Sequence, residues 1–245
     1  DALLPAYYNE FESVRKGRPQ IYFEGNNLDP DTLSVLIKNL NPKKTFCVVI
    51  SKSGETTETK AGFAVVENWL KKGVGKHYGR QIVAITDPAK GHLRQKVNSE
   101  QAKDKKSFRN LALLPGVGGR FSEFNMGLLH LAVAGVDIDD LLAGAAAMSR
   151  RCSTHDCMKN PALLYAGLQT ILYRHKGKSI ALMMPFSETL KSTGDWYSQL
   201  LAESLGKKYS RRIVCDAQGK EMWEQDTGRV VNVGRTPIAA RGTND

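Results

Sequence analysis

Residues 45–50 (TFCVVI) and 81–86 (QIVAIT) are runs of strand length in which apolar residues follow one another without polar alternation. A strand with one face in water alternates, whereas one that is apolar throughout must be covered on both faces. Between the two runs, residues 57–72 place Phe63, Val66 and Leu70 on one helical stripe. Strand, helix and strand in that order, with doubly covered strands, imply a parallel sheet between helical layers.

The same order extends outward. Asp29-Pro30-Asp31-Thr32 opens a helix, with Asp29 as N-cap and Pro30 at the first helical position, followed by Leu33, Leu36, Ile37 and Leu40 at helical spacing. Residues 21–23 read as a short strand, Asp87-Pro88 begins a turn and a further helix, and residues 111–114 are extended. Helices then dominate, over 123–134, 137–151 and 161–175. A strand over 179–184 is placed to start a second sheet. A helix over 196–205 follows, then strands over 213–216 and 229–233, with a polar, turn-rich stretch from Gln218 between those strands. The expected fold class is α/β, a parallel sheet flanked by helices, with a domain boundary carried by helices within residues 130–160.

The 245 residues suffice for one large domain or two modest ones. No run of eighteen apolar residues occurs, so no segment is suited to span a membrane as a helix. The opening DALLPAYYNEFES lacks the basic and apolar regions of a secretory leader. Cys47, Cys152, Cys157 and Cys215 have no CxxC or zinc-like spacing, and Cys47 sits inside an apolar strand as a small hydrophobe. This usage points to a reducing, cytoplasmic compartment. His155 lies between Cys152 and Cys157, but a fourth metal ligand is missing. The net charge of +10 is concentrated in residues 71–110, which hold eleven Lys or Arg against three Asp or Glu. That stretch contains an apolar strand and only two aromatics, Tyr78 and Phe108, rather than an interleaved series. It reads first as a solvated surface, next as a field that attracts small phosphorylated substrates, and last as a nucleic-acid groove.

In open parallel sheets, ligands bind beyond the carboxyl ends of the strands. The segment SKSGETTET, residues 51–59, occupies such an end and leads into a helix N-terminus, where free N–H groups and a partial positive charge suit a phosphate. Small hydroxyls add donors without crowding, and Gly54 allows close backbone approach. Ser51, Ser53 and Thr56 are the candidate phosphate donors. Helix capping competes as an explanation, with Thr56 and Thr59 as capping residues. Glu55 inside the loop must turn its carboxylate away from an anion. The segment lacks GxxxxGK[ST], so a nucleotide P-loop is not supported.

Two further motifs carry chemistry. GVGGRFS, residues 116–122, packs three glycines into four positions ahead of Arg120, a permanently charged fork of donors suited to a developing oxyanion. A surface Arg after a turn is the ordinary alternative. WYSQLLAESLGK, residues 196–207, places Gln199 and Glu203 four apart on one helical face, with Gly206 at the helix end. A solvated Glu is the ordinary alternative there.

SKSGETTET resembles the phosphate-binding loop of sugar isomerase (SIS) domains, in which S-x-S-G-x-T bridges a strand and a helix and binds phosphosugars. Carried over, Ser51, Ser53 and Thr56 match its hydroxyl positions and Lys52 its adjacent basic one. VGGRFS resembles V-G-G-R-[FY]-S of glucose-6-phosphate isomerases, and QLLAESLGK resembles their Q-x-x-x-E-S-x-G-K segment. The three motifs stand in the family's order from residue 51 to 207, and the chain is identified as a member of the glucose-6-phosphate isomerase family.

The resemblance implies aldose–ketose isomerisation of glucose 6-phosphate to fructose 6-phosphate through a cis-enediol, a step of glycolysis and gluconeogenesis. Glu203 would be the base that carries a proton between C2 and C1, Arg120 the oxyanion partner near the reacting carbons, and Gln199 a substrate contact. No metal or organic cofactor is implied, and neither a nucleic-acid nor a membrane partner. The implied architecture is two SIS-type, Rossmann-like three-layer domains: residues 1–135 as the first, lacking its initial strand and turn, 136–175 as connecting helices, and 176–245 as the start of the second. On that expectation the chain is truncated at both ends. The family's ring-opening His would follow Asp245 and a site Lys would come later still, and the 245-residue chain alone would be poorly active or inactive. The full-length protein would be a homodimer. The loop by itself also fits a different class, a non-catalytic sugar-phosphate-binding regulatory module, in which Glu203 and Arg120 would have no role.

Overall fold

The computed structural model describes residues 2–114, 117 and 126–242. The chain divides into two compact units, residues 20–131 and residues 1–19 with 132–245. A single helical turn, α1 (Glu12–Arg15), belongs to the second of these.

In the unit of residues 20–131, α2 (Pro30–Asn39) begins as expected: the Asp29 carboxylate accepts from Asp31 N, and Pro30 occupies the first turn. β1 (Cys47–Ile50), α3 (Thr57–Val74), β2 (Ile82–Thr86), α4 (His92–Lys103) and β3 (Arg109–Ala112) follow. The three strands form one parallel sheet in the order β1-β2-β3, with Val49 opposite Ala84 and Ala84 opposite Asn110.

The unbroken apolar character of β2 now has its explanation. Ile82 and Ala84 join a cluster with Val49, Leu70, Leu93, Val97 and Phe108. Val83 and Ile85 join another with Leu113, against which Val48, Ile50, Met126 and Leu129 pack. Alternate residues thus serve the two faces of the sheet. The expected stripe of α3 is the buried one: Leu70 is fully buried, and Phe63 and Val66 pack against the same cluster. Phe108 anchors this core, edge-on to Phe63 and Tyr78 at 6.2 and 6.1 Å between ring centroids. α5 (Leu128–Ala134) follows.

The other unit contains α6 (Ile138–Arg151), α7 (Pro161–Lys176), β4 (Ile180–Met183), α8 (Lys191–Leu205), β5 (Lys207–Cys215), β6 (Glu221–Val233) and β7 (Thr236–Ala239). Asn160 caps α7. Its side-chain oxygen accepts from Ala162 N and Leu163 N, and its amide donates to Cys152 O and Thr154 O. β4 and β7 pair in parallel, Ile180 opposite Thr236. β5 and β6 form a separate antiparallel ribbon.

Three local expectations are corrected. Residues 21–23 form no strand, and Phe23 is exposed with its ring edge-on to His130. The strand expected over 213–216 begins at Lys207. The stretch from Gln218 is mostly not turn: β6 starts at Glu221 and takes in charged residues, of which Glu224 pairs across the ribbon with Arg212 at 3.2 Å.

Candidate active-site elements

The loop after β1 is held by one of its amides and by the carbonyls of Lys52 and Ser53. Ser51 N donates to Ile85 O, Asp87 N and Thr86 Oγ1 donate to Lys52 O, and His92 N donates to Ser53 O at 2.7 Å. These bonds tie the loop to the end of β2 and to the first turn of α4. Gly54 makes the approach possible. Its φ is 79°, and a Cβ there would stand 2.5 Å from Leu93 N. With these carbonyls occupied, the amides at the start of α3 are left over. The first bond there is Lys60 N to Thr56 O, so Thr57, Glu58 and Thr59 have no partner within the helix.

The three candidate hydroxyls sit on this loop. Ser51 is buried and its Oγ accepts from Gly54 N at 2.9 Å. Ser53 Oγ accepts from Glu55 N at 3.1 Å. An accepting hydroxyl keeps its proton free to donate onward. Thr56 occupies the N-cap position of α3 but its side chain makes no capping bond. Lys52 is exposed beside them. Glu55 turns toward α4, its carboxylate 3.7 Å from His92 Nε2.

Beside the loop, between α3 and α4, lies a cavity of about 220 Å³ whose lining includes Ser51, Thr59, Phe63, Glu67, His92 and Lys96. Glu67 is its buried charge. Its carboxylate meets Lys96 at 2.7 Å and Lys71 at 2.9 Å and accepts from Tyr78 Oη at 3.0 Å. Burial works to raise the pKa of Glu67, but the two ammonium groups and the tyrosine outweigh it and hold the carboxyl below its usual range. Sequence reasoning missed His92 and Lys96. Only the i,i+4 spacing of Glu67 and Lys71 was legible without the fold.

In the other unit, α8 buries Gly194 and Tyr197 and exposes Gln199 and Glu203. The expected shared face is real: Gln199 Nε2 donates to Glu203 Oε1 at 2.9 Å. Lys207, quoted in the motif without a role, donates through Nζ to Glu203 O at 2.6 Å and to Gly206 O at 3.2 Å, capping the helix C-terminus. Arg120, with all of the motif around it except Val117, lies outside the described residues. All four cysteines are free thiols. Among the described residues no cluster of three His, Cys, Asp or Glu could hold a metal ion, and no helix is long and apolar enough to cross a membrane.

Known proteins resemble this chain along most of its length. The family model for phosphoglucose isomerase matches residues 3–230. The glucose-6-phosphate isomerase of Carboxydothermus hydrogenoformans is 41% identical over 245 residues, covering 100% of this chain and 48% of that protein. The Symbiobacterium thermophilum enzyme of the same name is 38% identical over 209 residues, 84% of this chain and 45% of that protein. Among solved structures, a hypothetical protein of Thermus thermophilus superposes with a TM-score of 0.74 at 33% identity, over 97% of this chain and 49% of that one. A glucose-6-phosphate isomerase of Chlamydia trachomatis shares the fold with a TM-score of 0.67 at 24% identity, over 93% of this chain and 40% of that one. The chain spans about half the length of the curated relatives it matches. With a family match that runs through the hydroxyl loop, the Arg120 motif and the Gln199–Glu203 helix alike, the chain belongs to the phosphoglucose isomerase family.

Proposed function

We propose that the protein to which this chain belongs interconverts glucose 6-phosphate and fructose 6-phosphate. The observation that carries this reading is the loop of residues 51–56. Its Lys52 and Ser53 carbonyls are spent on the end of β2 and on α4, while hydroxyl protons and the amides opening α3 remain for an anion. Ser51, Ser53 and Thr56 hold the phosphate, with Lys52 adding charge. That grip supplies binding energy far from the reacting carbons and orients them.

Glu203 removes the C2 proton and returns it to C1 through a cis-enediol. Gln199, which already donates to the Glu203 carboxylate, contacts the substrate and orients the base. Arg120 stabilises the oxyanion as it develops. The chemistry needs no metal or organic cofactor, because the substrate carbonyl acidifies the neighbouring C–H.

The remaining elements of this reading follow the family. Residues 1–135 belong to one sugar-isomerase domain, 136–175 connect, and 176–245 open a second. The protein acts in the cytoplasm as a homodimer, and its basic residues attract phosphosugars rather than nucleic acid.

The test is a coupled isomerase assay in a protein of the relatives' full length. Glu203→Gln should lower kcat by about 10²–10⁴-fold, while Ser51→Ala with Ser53→Ala should act mainly on KM. Glucose 6-phosphate binding without turnover in the parent protein would favour the regulatory-module reading instead.

A further inference from the structure

The reach of Glu203 depends on how α8 is rotated and how far it is slid along its axis. At 3.6 residues per turn, Gln199 and Glu203 lie roughly 200° and 240° around the helix from Tyr197. The buried side of α8 therefore fixes where the exposed pair points. That side is held at separate places. Tyr197, 8% exposed, shares a hydrogen bond of 3.1 Å with the Tyr165 hydroxyl of α7. Past the last turn, Gly206 meets Gly234, which enters β7 with φ 131°, and a Cβ on Gly234 would stand 2.9 Å from Gly206 Cα.

Arg235 comes directly after that contact. It donates through Nη1 to Gln169 Oε1 and through Nη2 to Ile180 O at 2.5 Å. Tyr165 and Gln169 are four apart, on one face of α7. That single face thus holds α8 through Tyr197 and the entry to β7 through Arg235.

We propose that Tyr165, Tyr197 and Arg235 are positioning residues of the isomerase reaction: they set the rotation and height of α8, and through it the place of Glu203, without touching substrate. This rests on the reading of Glu203 as the base. Burial, and then the bond to Tyr165, push the Tyr197 hydroxyl up to about 12, so it stays protonated across the working pH range. A catalytic effect of Tyr197 is therefore positional rather than acid–base.

The experiment uses glucose 6-phosphate and a protein of the relatives' full length. Tyr165→Phe and Tyr197→Phe keep the rings and remove only the hydroxyls, so folding is preserved and is checked by the thermal midpoint. Each should lower kcat by about three- to tenfold, the worth of one hydrogen bond, with KM within about twofold of the parent, a pattern that marks an interaction felt only in the transition state. The loss should be the same at every pH from 6 to about 9, where a titrating tyrosine would make it vary. The double variant should be no worse than either single one, because both remove the same bond. Arg235→Lys, which keeps the charge and loses the fork, should show the same split.

Unchanged kcat in both phenylalanine variants, or a rise in KM alone, overturns the proposal. Glu203→Gln is measured alongside. Retained turnover there removes the base reading and the proposal with it. Lost turnover there with normal phenylalanine variants removes the proposal only.

Discussion

The loop that the functional reading depends on can be tested by adding one methyl group. Gly54→Ala places a Cβ 2.5 Å from Leu93 N and 2.8 Å from Leu93 Cβ, at a residue whose φ is 79°. The left-handed backbone alone costs an L-residue about 1–2 kcal/mol. The steric part cannot be relieved by swinging a side chain, because the nearest atom is backbone at the first turn of α4. The loop must lift, and it then loses the bonds from His92 N and Leu93 N to Ser53 O, 2.7 and 3.4 Å long. At about 1 kcal/mol for the shorter bond and less for the longer, the expected total is about 2–4 kcal/mol. Gly25→Ala is the control within the same unit: φ there is 102°, and an added Cβ meets nothing within 4 Å. It should show the conformational part alone, about 1–2 kcal/mol. Urea unfolding measures both variants, and titration with inorganic phosphate measures the proposed anion site. Gly54→Ala should be the less stable of the two and should bind phosphate at least about tenfold more weakly, the equivalent of ~1.4 kcal/mol. Equal stability of the two variants, with phosphate affinity unchanged in Gly54→Ala, would refute the claim that the loop is seated on α4.

Three further outcomes are expected. Leu70→Ala empties a fully buried site in the α3 core and should lower unfolding free energy by about 2–5 kcal/mol, read from the urea midpoint. Glu67 has a folded-state pKa below its unfolded value. Its stabilisation is therefore complete above the ordinary carboxyl pKa of about 4.3 and disappears as pH falls through the lower folded value. Glu67→Gln should flatten that acid limb of a stability–pH curve while lowering stability at pH 7. Burial first, and then the Glu67 charge, push the Cys47 thiol up to about 12. A disulfide reagent at pH 8 should thus label exposed Cys157 and Cys215 in the native protein well before half-buried Cys47, which should react fully on unfolding.

The parts of the fold that could be read from the sequence are those whose pattern does not depend on a partner. β1 and β2 were legible because an apolar strand needs cover on both faces whichever elements provide it. α3 was legible because Phe63, Val66 and Leu70 lie on one stripe regardless of what they pack against. β6 was not. Glu221, Glu224 and Asp226 read as turn or surface until β5 is known to lie opposite, and the register then sets Arg212 against Glu224. The candidate site divides in the same way. Gln199 and Glu203 meet because four residues make one helical step, and that was visible in the spelling. His92 meets Glu55 only because the sheet sets α4 beside the loop, a long-range fact with no local signature.

The contest between capping and anion binding at residues 51–59 turns on where the protons go. A capping hydroxyl would accept from the amides of the first helical turn, and Thr56, at the N-cap of α3, does not. Ser51 and Ser53 accept from Gly54 N and Glu55 N, amides of the loop before the helix begins. The loop is therefore braced by its own hydroxyl oxygens, and the first turn of α3 keeps its N–H groups. Bracing and binding do not compete for the same valence: the oxygen lone pairs hold the turn, and the hydroxyl protons together with the helix amides remain as donors. Glu55 fits the same division. A carboxylate among these donors would cancel the field that an anion needs, and this one stands 3.7 Å from His92 Nε2 on α4. A chain that only needed a capped helix would spend these groups on the helix itself. This one spends them on the loop, and the donors that remain at the carboxyl end of β1 are the ones the proposed phosphate contact would use.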